Sequence, residues 1–207
     1  DVNCTDVEFK DDVTINGKTY TLTGIGNYAF SILSTTTNKF HGTVKFNRSL
    51  KSIGESAFYN QDQVTKYDFS NIVSSTGITI KSSTFSNNTS LQTILFGDNI
   101  SNLDINDSAF LGCSVLNNIH FPRGLKSLGN NAFENCSSLT NITFANEDSS
   151  SIENMERGTD VFKNVPLTKV SVPKGLKTVY ENKLRLVLPY GCTIDDGYTP
   201  TPAPSEH

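Results

Sequence analysis

Apolar positions in this chain fall in short clusters separated by polar turns, not in long helical stripes. Ile119/Phe121, Ile142/Phe144 and Val170/Val172 each flank one polar residue. That alternation predicts a short strand with one face buried. Gly and Asn between the clusters supply residues suited to reversing the chain.

The clusters recur. Gly24-Ile25-Gly26-Asn27-Tyr28-Ala29-Phe30, Ser52-Ile53-Gly54-Glu55-Ser56-Ala57-Phe58 and Ser127-Leu128-Gly129-Asn130-Asn131-Ala132-Phe133 share the pattern aliphatic, Gly, two polar residues, Ala-Phe. Thr84-Phe85, Ala109-Phe110 and Val161-Phe162 hold the same place in looser copies, so the Phe recurs every 23 to 29 residues. The clearest copy continues from Phe110 through Cys113, Leu116, Ile119, Phe121, Leu125 and Leu128 to Ala132-Phe133. Cys136, Leu139, Ile142 and Phe144 repeat those offsets after Phe133.

A period in the twenties with aliphatic positions at fixed offsets is the signature of a leucine-rich-repeat solenoid. One coil cannot bury its own apolar edge, so neighbouring coils stack and their strands form a parallel sheet at a spacing of about 4.8 Å. The expected fold is β-rich, with short parallel strands, about six repeats and terminal caps. Phe30, Phe58, Phe85, Phe110, Phe133 and Phe162 are expected to form one internal ladder.

Four segments follow: residues 1–22 as an N-terminal segment and hairpin cap, 23–184 as repeats, 185–197 as a C-terminal cap, and 198–207 as a Pro/Thr tail or linker. The hairpin is read from Val13 to Leu22, with Asn16-Gly17 fitting a type I′ turn. At the other end Lys183-Leu184 falls where another Ala-Phe would come, and Leu186-Val187-Leu188-Pro189 with Cys192-Thr193-Ile194 reads as a closing strand and turn.

Composition sharpens this picture. Asn, Ser and Thr make up about a third of the 207 residues and charged residues only 18%, which favours strands and turns over helical bundles. The net charge of -4, with no Lys/Arg cluster, gives no footing for nucleic acid. No apolar run approaches the roughly 20 residues of a membrane helix, so no membrane insertion is expected. Asp1 to Cys4 is polar, not leader-like, so the chain is expected either to be cytosolic or to begin after processing.

These residues resemble the BspA-like branch of the leucine-rich repeats, whose unit reads aliphatic-Gly-x-x-Ala-Phe, x-x-Cys, then Leu-x-x-Ile-x-aliphatic-Pro. Cys113, Leu116, Ile119, Phe121 and Pro122 carry the match, as do Cys136, Leu139 and Ile142, and Val170, Val172 and Pro173. The resemblance covers about residues 13 to 194. It departs between Phe58 and Phe85, where Pro is absent, and at Ala145 to Thr159, which reads as an insertion. It implies a bacterial-type surface or secreted protein, a protein or glycan partner such as a host matrix protein, and adhesion. A structural spacer presenting another domain is the alternative. A monomer is expected.

Chemistry is sparse. His41, His120 and His207 lie in no nucleophile or metal motif, and no Gly-rich phosphate loop opens a helix. Asp104, Asn106 and Asp107 lack the spacing of a calcium loop. No catalytic, metal or cofactor residue is therefore assigned, no cofactor is expected, and the chain is read as a non-enzyme. Cys113 and Cys136 sit one coil apart, close enough for a disulfide, although parallel stacking suits buried thiols better. What remains is the outward face of the sheet. Its candidate partner-binding residues are Lys45, Lys66, Asp68, Leu95, His120 and Thr143, with insertions at Ile32–Phe40 and Ala145–Thr159 as competing binding loops.

Overall fold

The computed structural model of the protein describes residues 4–33, 39–73 and 77–200. The chain winds as a β-solenoid whose longer strands stack on one side. There β1 (Cys4–Glu8), β5 (Phe40–Lys45), β7 (Val64–Phe69) and β9 (Thr93–Phe96) form one four-stranded sheet. A second follows from β11 (Asn118–Phe121), β13 (Asn141–Phe144), β15 (Lys169–Pro173) and β16 (Thr193–Tyr198). Shorter strands stack on the other side as β4 (Gly24–Ile25), β6 (Ser52–Ile53), β8 (Ile78–Ile80), β10 (Leu103–Ile105), β12 (Leu125–Leu128) and β14 (Glu156–Arg157). Every ladder in these stacks is parallel.

The Ala-Phe pair makes the corner between the stacks, and its polar neighbours are set by backbone geometry. Tyr28, Ser56, Ser83, Ser108, Asn131 and Asp160, each two residues before the Phe, all have φ between 51 and 57°. Such left-handed geometry disfavours bulky and branched side chains. The Phe amides then bond across coils: Phe30 N donates to Ala57 O at 2.7 Å, Phe85 N to Ala109 O at 2.8 Å and Phe133 N to Val161 O at 2.9 Å. Thr84 and Val161 thus stand in for Ala, as their spacing predicts.

The Phe ladder runs unbroken. Ring centroids are 5.2 Å apart for Phe30–Phe58, 5.5 Å for Phe58–Phe85, 5.1 Å for Phe85–Phe110 and Phe110–Phe133, and 5.8 Å for Phe133–Phe162. A second aromatic column, not read from the sequence, lies beside it. Phe46, Phe69, Phe96, Phe121 and Phe144 follow the long strands, Phe9 joins at one end and Tyr180 at the other. Burying one such ring contributes about 1.5–3 kcal/mol, so the two columns dominate the core.

A polar ladder lines the same interior. Three residues after successive Phe stand Gln61, Asn88, Cys113 and Cys136. Each donates to the carbonyl of the Phe in the preceding coil: Phe30 at 2.7 Å, Phe58 at 2.8 Å, and Phe85 and Phe110 at 3.3 Å. The coil that begins at Phe58, irregular in sequence, thereby joins the same ladder through Gln61 and Asn88. The cysteines are free and buried.

Both caps differ from expectation. β2 (Asp12–Ile15) and β3 (Lys18–Thr21) form the expected hairpin, and Asn16 and Gly17 both take positive φ, as a type I′ turn requires. Yet all eight hairpin residues are exposed. Closure comes from β1, which pairs with β5, and from Phe9, which stacks 5.8 Å from Phe46. At the C-terminal end Lys177–Leu184 is helix α2, so Lys183-Leu184 ends a helix and is no repeat corner. Leu186 to Pro189 form no strand, and the closing strand is β16. Tyr180 of α2 lies 5.1 Å from Phe144 and donates from its hydroxyl to Asn146 O at 3.0 Å.

The segment from Ala145 to Thr159 is also knitted in. It holds helix α1 (Ser149–Asn154), capped by Asp148, whose carboxylate accepts from Ser150 N and Ser151 N. Ile152 and Met155 are buried, and Lys183 Nζ donates to Glu153 O at 2.7 Å. This insertion is part of the C-terminal cap, which argues against a free binding loop. In the other insertion, residues 34–38 lie outside the described residues, while Ile32 is buried and Phe40 already opens β5.

Candidate interaction surface

The long-strand face carries its outward residues in two registered rows. Thr43, Lys66 and Thr93 align, as do Lys45, Asp68 and Leu95. In the second sheet Asn118, Asn141, Lys169 and Thr193 align, followed by His120, Thr143, Ser171 and Asp195. Period-two alternation places them there, because their neighbours Val44, Tyr67, Ile94, Ile119, Ile142 and Val170 turn inward.

All six predicted face residues therefore lie on one side, though not alike. Leu95 is 40% exposed and is the apolar spot of the rows. Lys45, Lys66, His120 and Thr143 are half-buried. Asp68, expected to face a partner, is only 7% exposed. It accepts from Ser70 Oγ at 2.6 Å and Ser70 N at 3.0 Å, and pairs with Lys66 Nζ at 2.9 Å. Burial works against the Asp68 charge, yet these bonds outweigh it and hold the carboxyl below the usual carboxylate range.

The cations of this face are matched from within. Besides Lys66 with Asp68, Lys45 lies 3.6 Å from Glu8, Lys169 is 2.8 Å from Asp195, and Arg123 is 2.9 Å from Glu147. Arrangements of this kind leave little net field to steer a charged partner.

The two sheets of this face meet at a seam. Phe96 and Phe121 are 6.4 Å apart, the widest step of their column, and β9 and β11 belong to separate sheets. Leu95 and His120 sit on either side of it. Asp98 lies 3.6 Å from His120 Nε2. On the other side the ring of Tyr198 meets His120 edge to face at 5.8 Å.

Sequence reasoning placed residue 198 at the start of a tail. In the structure Tyr198 ends β16, opposite Pro173, and its ring reaches back to β11. Burial, followed by the charge of Asp98, raises the pKa of its phenol. No spacing rule links positions 120 and 198, so the only signal was that Tyr198 is an aromatic residue beside a Pro-rich run. Residues 201–207, including His207, lie outside the described residues.

Other polar groups serve the coils. Asp107 accepts from Asn130 N at 2.7 Å, and Asp104 accepts from Ser127 Oγ at 2.8 Å. Among the described residues no group of three or more His, Cys, Asp and Glu is placed to hold a metal. Among them, too, no helix is long and apolar enough to cross a membrane.

Comparison with known proteins agrees with this architecture. The family model for the BspA type leucine rich repeat region matches residues 5–104 and 51–185, with six copies. No curated protein matches the chain. A leucine rich cell surface protein from Faecalibacterium prausnitzii is similar in structure, with a TM-score of 0.60 and 19% identity over 85% of this chain and 43% of that one. The T. pallidum leucine rich repeat protein gives 0.53 and 17% identity over 94% of this chain and 87% of its own. The chain thus spans less than half of the first relative and most of the second.

Proposed function

Because this chain belongs to the BspA-type leucine-rich-repeat family, we propose that it is a partner-binding module displayed at a cell surface or secreted, and not an enzyme. The partner, a protein or a glycan such as a host matrix component, docks on the long-strand face, and the module acts as a monomer in adhesion.

The observation that carries this reading is the seam, where exposed Leu95 and the His120–Tyr198 pair break a face otherwise made of polar groups and matched ion pairs. Binding energy concentrates in such central anchors ringed by polar contacts. Assignment of a surface location rests on the family and on the cell surface protein that shares the fold. The ends support a monomer. Among the described residues β1 and β16 are the outer strands of the long-strand side, both carry a register shift, and both carry acidic residues, devices that discourage edge-to-edge pairing.

One observation favours a spacer that binds nothing: the face neutralises its own cations. A screen of the purified chain against immobilised matrix proteins and oligosaccharides separates the two readings. Saturable capture of any panel member supports the module; capture of none supports the spacer.

A further inference from the structure

We propose that the His120–Tyr198 pair is the stacking platform of a subsite for a neutral oligosaccharide, with Asp98 and the Arg123–Glu147 pair as its hydrogen-bonding rim. This deepens the binding-module reading and rests on it.

A pyranose ring presents an apolar C–H face and an edge of uncharged hydroxyls. Its protein counterpart is an aromatic ring held rigidly at a wet surface, with donors and acceptors in fixed positions around it. Tyr198 meets the first requirement. The residue is half-buried, its backbone is held in the β16–β15 ladder, and its ring packs edge to face with His120 at 5.8 Å between centroids. For the second, Asp98, 3.6 Å from His120 Nε2, sets an acceptor against the platform, and Arg123 and Glu147, paired at 2.9 Å, add a donor and an acceptor among the charged groups that act on the Tyr198 phenol. The 2.9 Å pair between Arg123 and Glu147 holds both side chains in place before any ligand arrives, which lowers the ordering cost of binding.

Charge selects the ligand class. The cations of this face already have carboxylate partners, so a sulfated or sialylated chain would have to break ion pairs to gain new ones. A protein partner of ordinary size covers about 800 Å² per side and relies on several buried anchors. Leu95 alone supplies an exposed large aliphatic group in the outward rows. A neutral sugar needs only one platform and a polar rim.

The test is an oligosaccharide array bearing neutral hexose and N-acetylhexosamine chains, sialylated and sulfated chains, and spots of immobilised matrix protein. The expected result is capture by neutral chains, about tenfold weaker for Tyr198→Ala and within about threefold of the parent for Tyr198→Phe. Raising salt from about 0.05 to 0.5 M leaves that capture unchanged. Should Tyr198→Ala loosen the closing strand, His120→Ala removes the other half of the platform from β11, three strands away in the same sheet, and shows the same loss. Capture by anionic chains alone, or equal capture by all variants, overturns the subsite. Capture of matrix protein alone, abolished by Leu95→Arg, overturns it and leaves the binding-module reading standing; no capture anywhere removes both.

Discussion

The Cys136 thiol donates to the carbonyl oxygen of Phe110, one coil back, at 3.3 Å, and Cys113 does the same to Phe85. The repeat cysteine is therefore an interior hydrogen-bond donor, and Gln61 and Asn88 fill its place with amides.

That placement predicts thiol reactivity. Burial pushes the Cys136 thiol up to about 12 and raises that of Cys113 well above its ordinary value, so neither forms the reactive thiolate at neutral pH. Iodoacetamide at pH 8 followed by mass spectrometry is expected to modify the half-buried Cys4 and Cys192 only. Cys113 and Cys136 are expected to react once denaturant is added.

The Phe column predicts a graded cost. Phe110 stacks at 5.1 Å on both Phe85 and Phe133 and is fully buried, so Phe110→Ala is expected to cost about 3–5 kcal/mol in urea unfolding. Phe30, half-buried at the end of the column, is expected to cost less.

Gly129 and Gly26 hold the same place in their coils with opposite surroundings. A Cβ at Gly129 would strike the backbone of Asn106 and Asp107, whereas one at Gly26 meets nothing within 4 Å. Gly129→Ala is expected to lose about 1–3 kcal/mol. Gly26→Ala is expected to be neutral or to gain up to about 1 kcal/mol by restricting the unfolded chain. Thermal melts of the two variants check this.

Asp68 predicts a pH dependence. Its folded pKa lies below the unfolded value despite its burial, through the bonds from Ser70 and Lys66. The stabilisation is present above the unfolded value of about 3.9 and is lost as pH falls through the folded one. The stability gap between wild type and Asp68→Asn is therefore expected to be widest near pH 7 and to close in acid.

The coils were legible because the Ala-Phe spacing and the Ile119/Phe121 alternation repeat local geometry that any coil needs. Gln61 and Asn88 were not, since a thiol and an amide serve one carbonyl equally and residue identity hides the role. Helix α2 escaped because Val179 and Leu184 fall near repeat offsets, and only burial of Tyr180 against Phe144 marks a cap. The outward rows followed from alternation alone. The burial of Asp68 and the return of Tyr198 to His120 did not, because they depend on Ser70 and on a contact from a distant strand.

The central claim is that partners dock on the long-strand face. Leu95 and Leu186 are both exposed, 40% and 74%, but only Leu95 lies on that face. Titration of Leu95→Arg and Leu186→Arg against the neutral oligosaccharide or matrix protein captured by wild type tests it directly. The account predicts at least about a tenfold loss for Leu95→Arg with either ligand, because the new guanidinium stands across the seam from His120, and none for Leu186→Arg; equal affinities for the two variants would contradict it.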